Sequence, residues 1–170
     1  MVKLSIASFA EYDDNMTFTA RCLILACGNT LREDDGVGPF LAQWAEEHWH
    51  NDARVRVLCD HQWTPDMAQE IAAAETVIFV DCSLDQTPGE ILLRELSPAS
   101  LRPGLVTHHL GATELLSVAQ DLYGMQPRRA CLLTIGAASI ELGEGLSSAV
   151  RNALPAAEHL LELTVGQLLG

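Results

Sequence analysis

The sequence predicts an α/β protein in which crossover helices cover both faces of a central sheet. Short β-rich runs alternate with helical patterns along the chain, as expected of βαβ units rather than of a sandwich or a bundle. The β-rich runs are mostly continuous in apolar residues, the pattern of strands buried on both faces. The connections between them are short, with no internal repeat or low-complexity block, so one core is expected rather than two domains.

The first strand is expected over residues 21–27, and the first helix over residues 36–48, with Val37, Phe40, Leu41, Trp44 and Ala45 on one face. A second strand follows at 54–60. The next helix, 65–74, has Thr64 as its expected N-cap and Pro65 in its first turn. Strands are expected at 76–81 and 90–95, a helix at 111–123, and a fifth strand at 129–136. The last helix spans 146–169, with Ser147 and Ser148 as its caps, and Pro155 is expected to kink or divide it.

The chain has 170 residues, 48% of them apolar and 19% charged, which suits a single domain with a core of its own. Residues 1–21 are expected to be a flexible leader and residues 22–170 the domain. The leader carries Glu11, Asp13 and Asp14 and lacks the basic start and long apolar run of a secretory signal. No apolar stretch approaches the roughly 20 residues a bilayer span needs. A formal net charge of −13 argues against nucleic acid as a partner, because such affinity comes mainly from Lys and Arg. The five cysteines never form C-x-x-C and read as reduced core thiols. A cytoplasmic monomer that meets its partner transiently is the expectation.

Ligands of open α/β sheets bind beyond the carboxyl ends of the strands, so polar residues there are the first candidates for a site. The first strand runs into Gly28-Asn29-Thr30-Leu31-Arg32-Glu33-Asp34-Asp35-Gly36-Val37-Gly38, a glycine-flanked turn ending in two carboxylates at a helix start. One carboxylate suffices to cap a helix. The segment has neither glycine fingerprint of a phosphate loop, and adjacent acids would repel an anion. The third strand ends on Asp81, whose bland reading is a turn-former with Ser83. His108 and His109 precede the helix that begins near Gly111. Asp35, Asp81 and one of these histidines make a two-carboxylate, one-imidazole set that suits a first-row divalent ion. The ion is either catalytic with its own water or presented by another molecule. No G-x-S-x-G elbow is present, and no Cys is spaced as a nucleophile beside a His.

The stretch from Leu23 to Gly38 resembles the hydrogenase maturation endopeptidases, whose strand is followed by G-N-x-L-x-x-D-[DE]-x-x-G. These enzymes trim the C-terminus of the large subunit of nickel-iron hydrogenases after nickel insertion. The resemblance continues through Val80-Asp81 and His108-x-Leu110-Gly111, weakens after Gly136, and covers roughly residues 22–165. It implies a three-layer α/β/α sandwich around a twisted, mostly parallel five-stranded sheet. It also implies that Asp35, Asp81 and His108 contact nickel carried by the large-subunit precursor, the enzyme having no cofactor of its own. Asp35 stands where several relatives have Glu, and His108 is preferred to His109 for its place before x-Leu-Gly. Where many relatives have D-G-G-T, this chain has Asp60-His61-Gln62-Trp63-Thr64-Pro65-Asp66. That form resembles the branch serving bidirectional, NAD-linked hydrogenases, with His61, Gln62, Trp63 and Thr64 lining the cleft. The plainer alternative makes Trp63 a packed loop anchor and Thr64-Pro65 a helix start. Two rival functions remain at this point: a metallohydrolase holding its own zinc, and a chaperone that inspects the metal centre without cutting.

Overall fold

Apolar runs become strands here because helices cover them from both sides. The computed structural model describes residues 20–96 and 110–170. In chain order the elements are β1 (Ala20–Cys27), α1 (Val37–His48), β2 (Val55–Asp60), α2 (Ala68–Ala72), β3 (Ala74–Ser83), β4 (Ile91–Leu96), α3 (Ala112–Tyr123), β5 (Arg129–Gly136) and α4 (Ser148–Leu169). The five strands form one sheet in the order β2-β1-β3-β5-β4. Every pairing is parallel except that of β4 with β5.

Side chains of successive strand residues point to opposite faces, and the two cores follow that alternation. Ile24, Ala26, Ile78, Val80, Leu133 and Ile135 face α1 and α4, meeting Leu41, Ala45, Leu161 and Val165. Leu23, Leu25, Val77 and Phe79 face α2 and α3, meeting Ile71, Leu115 and Leu116. The result is the three-layer α/β/α arrangement that the sequence implied. Each fully buried Leu, Ile or Phe contributes roughly 1.5–3 kcal/mol.

Three local expectations are corrected. The helix expected over 65–74 is a 3-10 turn, Pro65–Met67, followed by the short α2, and Ala74 belongs to β3. Thr64 makes no side-chain cap; the tight turn instead bonds Met67 N–H to the Thr64 carbonyl at 3.1 Å. Pro155 does not divide α4, which runs unbroken from Ser148 to Leu169. Pro155 and Arg151, the residue whose carbonyl loses its partner, are both exposed, so water can take the missing bond. Ser147 caps α4 as expected, its Oγ accepting from Val150 N–H at 3.3 Å.

From β1 the chain turns to one side to form β2 and to the other to form β3. The carboxyl ends of β1 and β3 therefore flank the topological switch point, where open α/β sheets bind ligands. Residues 1–19 of the expected leader lie outside the described residues; Ala20 and Arg21 already belong to β1. Among the described residues, no helix is long and apolar enough to cross a membrane.

Candidate functional site

The loop after β1 is held so close to its surroundings that glycine is required. Gly28 has φ +146°, and a Cβ there would lie 2.0 Å from the Asp35 carbonyl oxygen. A Cβ on Gly38 would lie 2.0 Å from the Cys27 carbonyl oxygen. The two glycines thus let the 3-10 turn Glu33–Gly36 fold back over the end of β1. Glu33 sits in the left-handed region at φ 44°, held by its N–H to the Gly143 carbonyl at 2.9 Å.

The two adjacent aspartates part company within this turn. Neither caps α1, whose N-cap is Gly36 without a side-chain bond. Asp34 is fully buried and accepts from Ala138 N–H at 2.8 Å and Ser147 N–H at 2.6 Å. It pins the β5–α4 connection under the loop. Asp35 turns the other way, and its Oδ2 accepts from Asn29 N–H at 2.8 Å.

Asp35 meets Asp81 at the end of β3. Ligand-capable atoms of Asp35, Asp81 and Cys82 all lie within 4.8 Å of one another, and all three residues are partly buried. Cys82 N–H donates to Asp81 Oδ1 at 2.8 Å, and the Cys82 thiol donates to Asp35 Oδ1 at 3.4 Å. Burial pushes the Asp81 carboxyl up to about 6, against the pull of bonds from the Cys82 N–H and the Cys27 thiol, with the Asp35 charge raising it further. Burial first, and then the Asp81 and Asp35 charges, hold the Cys82 thiol well above its ordinary range. Burial and the Asp81 charge do the same to Cys27. Protonated thiols are poor nucleophiles, so the cluster offers carboxylates rather than thiolates for chemistry.

The structure therefore brings together Asp35 and Asp81. His108 and its alternative His109 lie outside the described residues. His61 and Gln62 are exposed and Thr64 is half-buried. Trp63 is 7% exposed and packs edge-on against Phe79 with ring centroids 5.1 Å apart, the position of a loop anchor. Its Nε1 finds no partner among the described residues. Sequence reasoning does not single out Cys27, Cys82 or Asp34, because the thiols read as core filling and, of the paired acids, only Asp35 is taken as a ligand. Adjacency of Cys82 to Asp81 was the available signal.

A sheet of this order, with paired carboxylates at its switch point, defines a three-layer α/β/α fold with a candidate ligand site beyond the ends of β1 and β3. No family model matches the sequence, and no curated protein matches it. Solved structures do. The hydrogenase maturating endopeptidase HybD of Escherichia coli superposes with a TM-score of 0.72 at 22% identity, over 86% of this chain and 93% of that one. The hydrogenase 2 maturation peptidase of a Thaumarchaeota archaeon gives 0.64 at 26% identity, over 86% and 98%. The [NiFe] hydrogenase maturation protease HybD of Thermococcus kodakarensis gives 0.64 at 25% identity, over 85% and 98%. In fold the chain is thus similar to solved hydrogenase maturation endopeptidases over more than four fifths of its length.

Proposed function

We propose that the protein removes a C-terminal peptide from the nickel-loaded large-subunit precursor of a nickel-iron hydrogenase. Asp35, Asp81 and His108 contact the nickel that the precursor carries, and this contact certifies that loading is complete. The observation that supports it is the convergence of Asp35 and Asp81, far apart in sequence, with donor atoms within 4.8 Å at the end of the sheet. Two carboxylates and an imidazole suit a first-row divalent ion and leave coordination positions for ligands the substrate supplies. Because the neighbouring thiols are held protonated, attack by water with carboxylate assistance is favoured over a covalent thioester route. The client is a bidirectional, NAD-linked hydrogenase, on the strength of the His61-Gln62-x-Thr64-Pro65 sequence. The enzyme works in the cytoplasm as a monomer with no metal of its own.

The test is intact-mass spectrometry of nickel-loaded and nickel-free precursor, each incubated with the wild-type protein or with Asp35→Ala, Asp81→Ala or His108→Ala. Loss of a C-terminal peptide from the loaded precursor only, abolished by each substitution, is the expected result. Binding without any mass change would replace this reading with a metal-inspecting chaperone. Equal cleavage of nickel-free precursor would refute nickel recognition. Stoichiometric metal in the purified enzyme, with activity on simple peptides, would make it a self-sufficient metallohydrolase.

A further inference from the structure

Cys82 is bonded to both carboxylates of the cluster. Its N–H donates to Asp81 Oδ1 at 2.8 Å, and its Sγ lies 3.4 Å from Asp35 Oδ1. The thiol is the donor in the second contact and the Asp35 oxygen accepts. The other oxygen of Asp35 takes the Asn29 N–H at 2.8 Å. Asp35 thus has one donor on each oxygen, one from its own loop and one from β3.

The two anchors differ in kind. Asn29 belongs to the same turn as Asp35 and would move with it, whereas Cys82 is fixed in the ladder, its neighbour Asp81 paired with Thr134 and Cys82 itself with Ile135. Asp35 stands on a 3-10 turn outside the sheet, and two like charges this close repel. Without a bond to β3, only the Asn29 bond from its own loop would hold its side chain against that repulsion.

We propose that Cys82 is a positioning residue whose thiol ties Asp35 of the loop to the end of β3, and so sets the spacing of the two carboxylates. That the carboxylates then meet a metal on a substrate rests on the function proposed above; the tie itself does not. Serine nearly matches cysteine in size as well as in donating, so the infrared band, rather than activity alone, tells a donor from a space-filler. A residue that serves as a donor is replaced by serine, whose hydroxyl also donates, and not by alanine.

Two measurements on the full chain separate these. In infrared spectra, the difference between wild type and Cys82→Ala isolates the Cys82 S–H stretch. The expected band is that of a hydrogen-bonded thiol, moving to the free-thiol frequency in Asp35→Ala. In cleavage of nickel-loaded precursor, Cys82→Ala is expected to lower kcat/KM about tenfold, mainly through KM, with Cys82→Ser within about threefold of wild type. Thermal melts verify that each variant is folded at the assay temperature. An S–H band that ignores Asp35→Ala, or alanine and serine variants of equal activity, overturns the proposal. If wild type does not cut the precursor at all, the proposed function fails while the infrared result still decides the tie.

Discussion

Replacing Asp81 by asparagine should make the protein more stable at neutral and alkaline pH while abolishing its activity. The Asp81 carboxyl is displaced from 3.8 to about 6, chiefly by burial. Between those values the folded state holds the proton more tightly than the unfolded chain does. Stability therefore falls as the pH rises through that window, and the full penalty applies above it. At about 1.4 kcal/mol per pKa unit, the penalty at pH 8 is about 3 kcal/mol. Asparagine keeps the oxygen that accepts the Cys82 N–H and removes the buried charge. Urea denaturation of wild type and Asp81→Asn from pH 4 to pH 8 measures the difference. The expected advantage of the variant is near zero at pH 4 and about 3 kcal/mol at pH 8, with a rise in Tm there of roughly 6–12 °C. An advantage independent of pH, or a variant less stable than wild type at pH 8, would refute the reasoning.

Asp34→Ala leaves the Ala138 and Ser147 N–H groups without their acceptor and should cost at least about 3 kcal/mol in chemical denaturation; a loss under 1 kcal/mol contradicts that role. Gly38→Ala forces a Cβ to within 2.0 Å of the Cys27 carbonyl oxygen, against backbone that cannot swing aside, and should yield little soluble protein or a sharply lowered Tm. Trp63→Ala should destabilise by about 3–5 kcal/mol because the ring is packed on Phe79. A loss of substrate affinity without that destabilisation would return the indole to the cleft wall.

Most of the architecture was legible because it rests on local signals. Uninterrupted apolar runs require cover on both faces, and the alternation of such runs with amphipathic segments leaves few arrangements but a layered α/β sheet. The strand 129–136 has the ends its apolar run predicts, and Ser147 caps α4 as its sequence predicts, since capping depends on residues three apart. Errors fell where a tertiary contact outweighs the local preference. Thr64 lost its capping role to a tight turn, and Pro155 was tolerated because its face of α4 meets solvent.

The sequence by itself determined the sheet, the glycine-flanked acidic loop and the candidacy of Asp35 and Asp81, because each is written in a contiguous stretch. Which aspartate of the pair is structural was decided only by tertiary structure. Asp34 and Asp35 are identical in type and adjacent, and they differ because the 3-10 turn aims one at the β5–α4 connection and the other at the end of β3. The link from Cys82 to Asp35 is likewise invisible in one dimension. It depends on two strand ends brought side by side by a ladder whose partners are about fifty residues apart, and only the folded chain sets that distance.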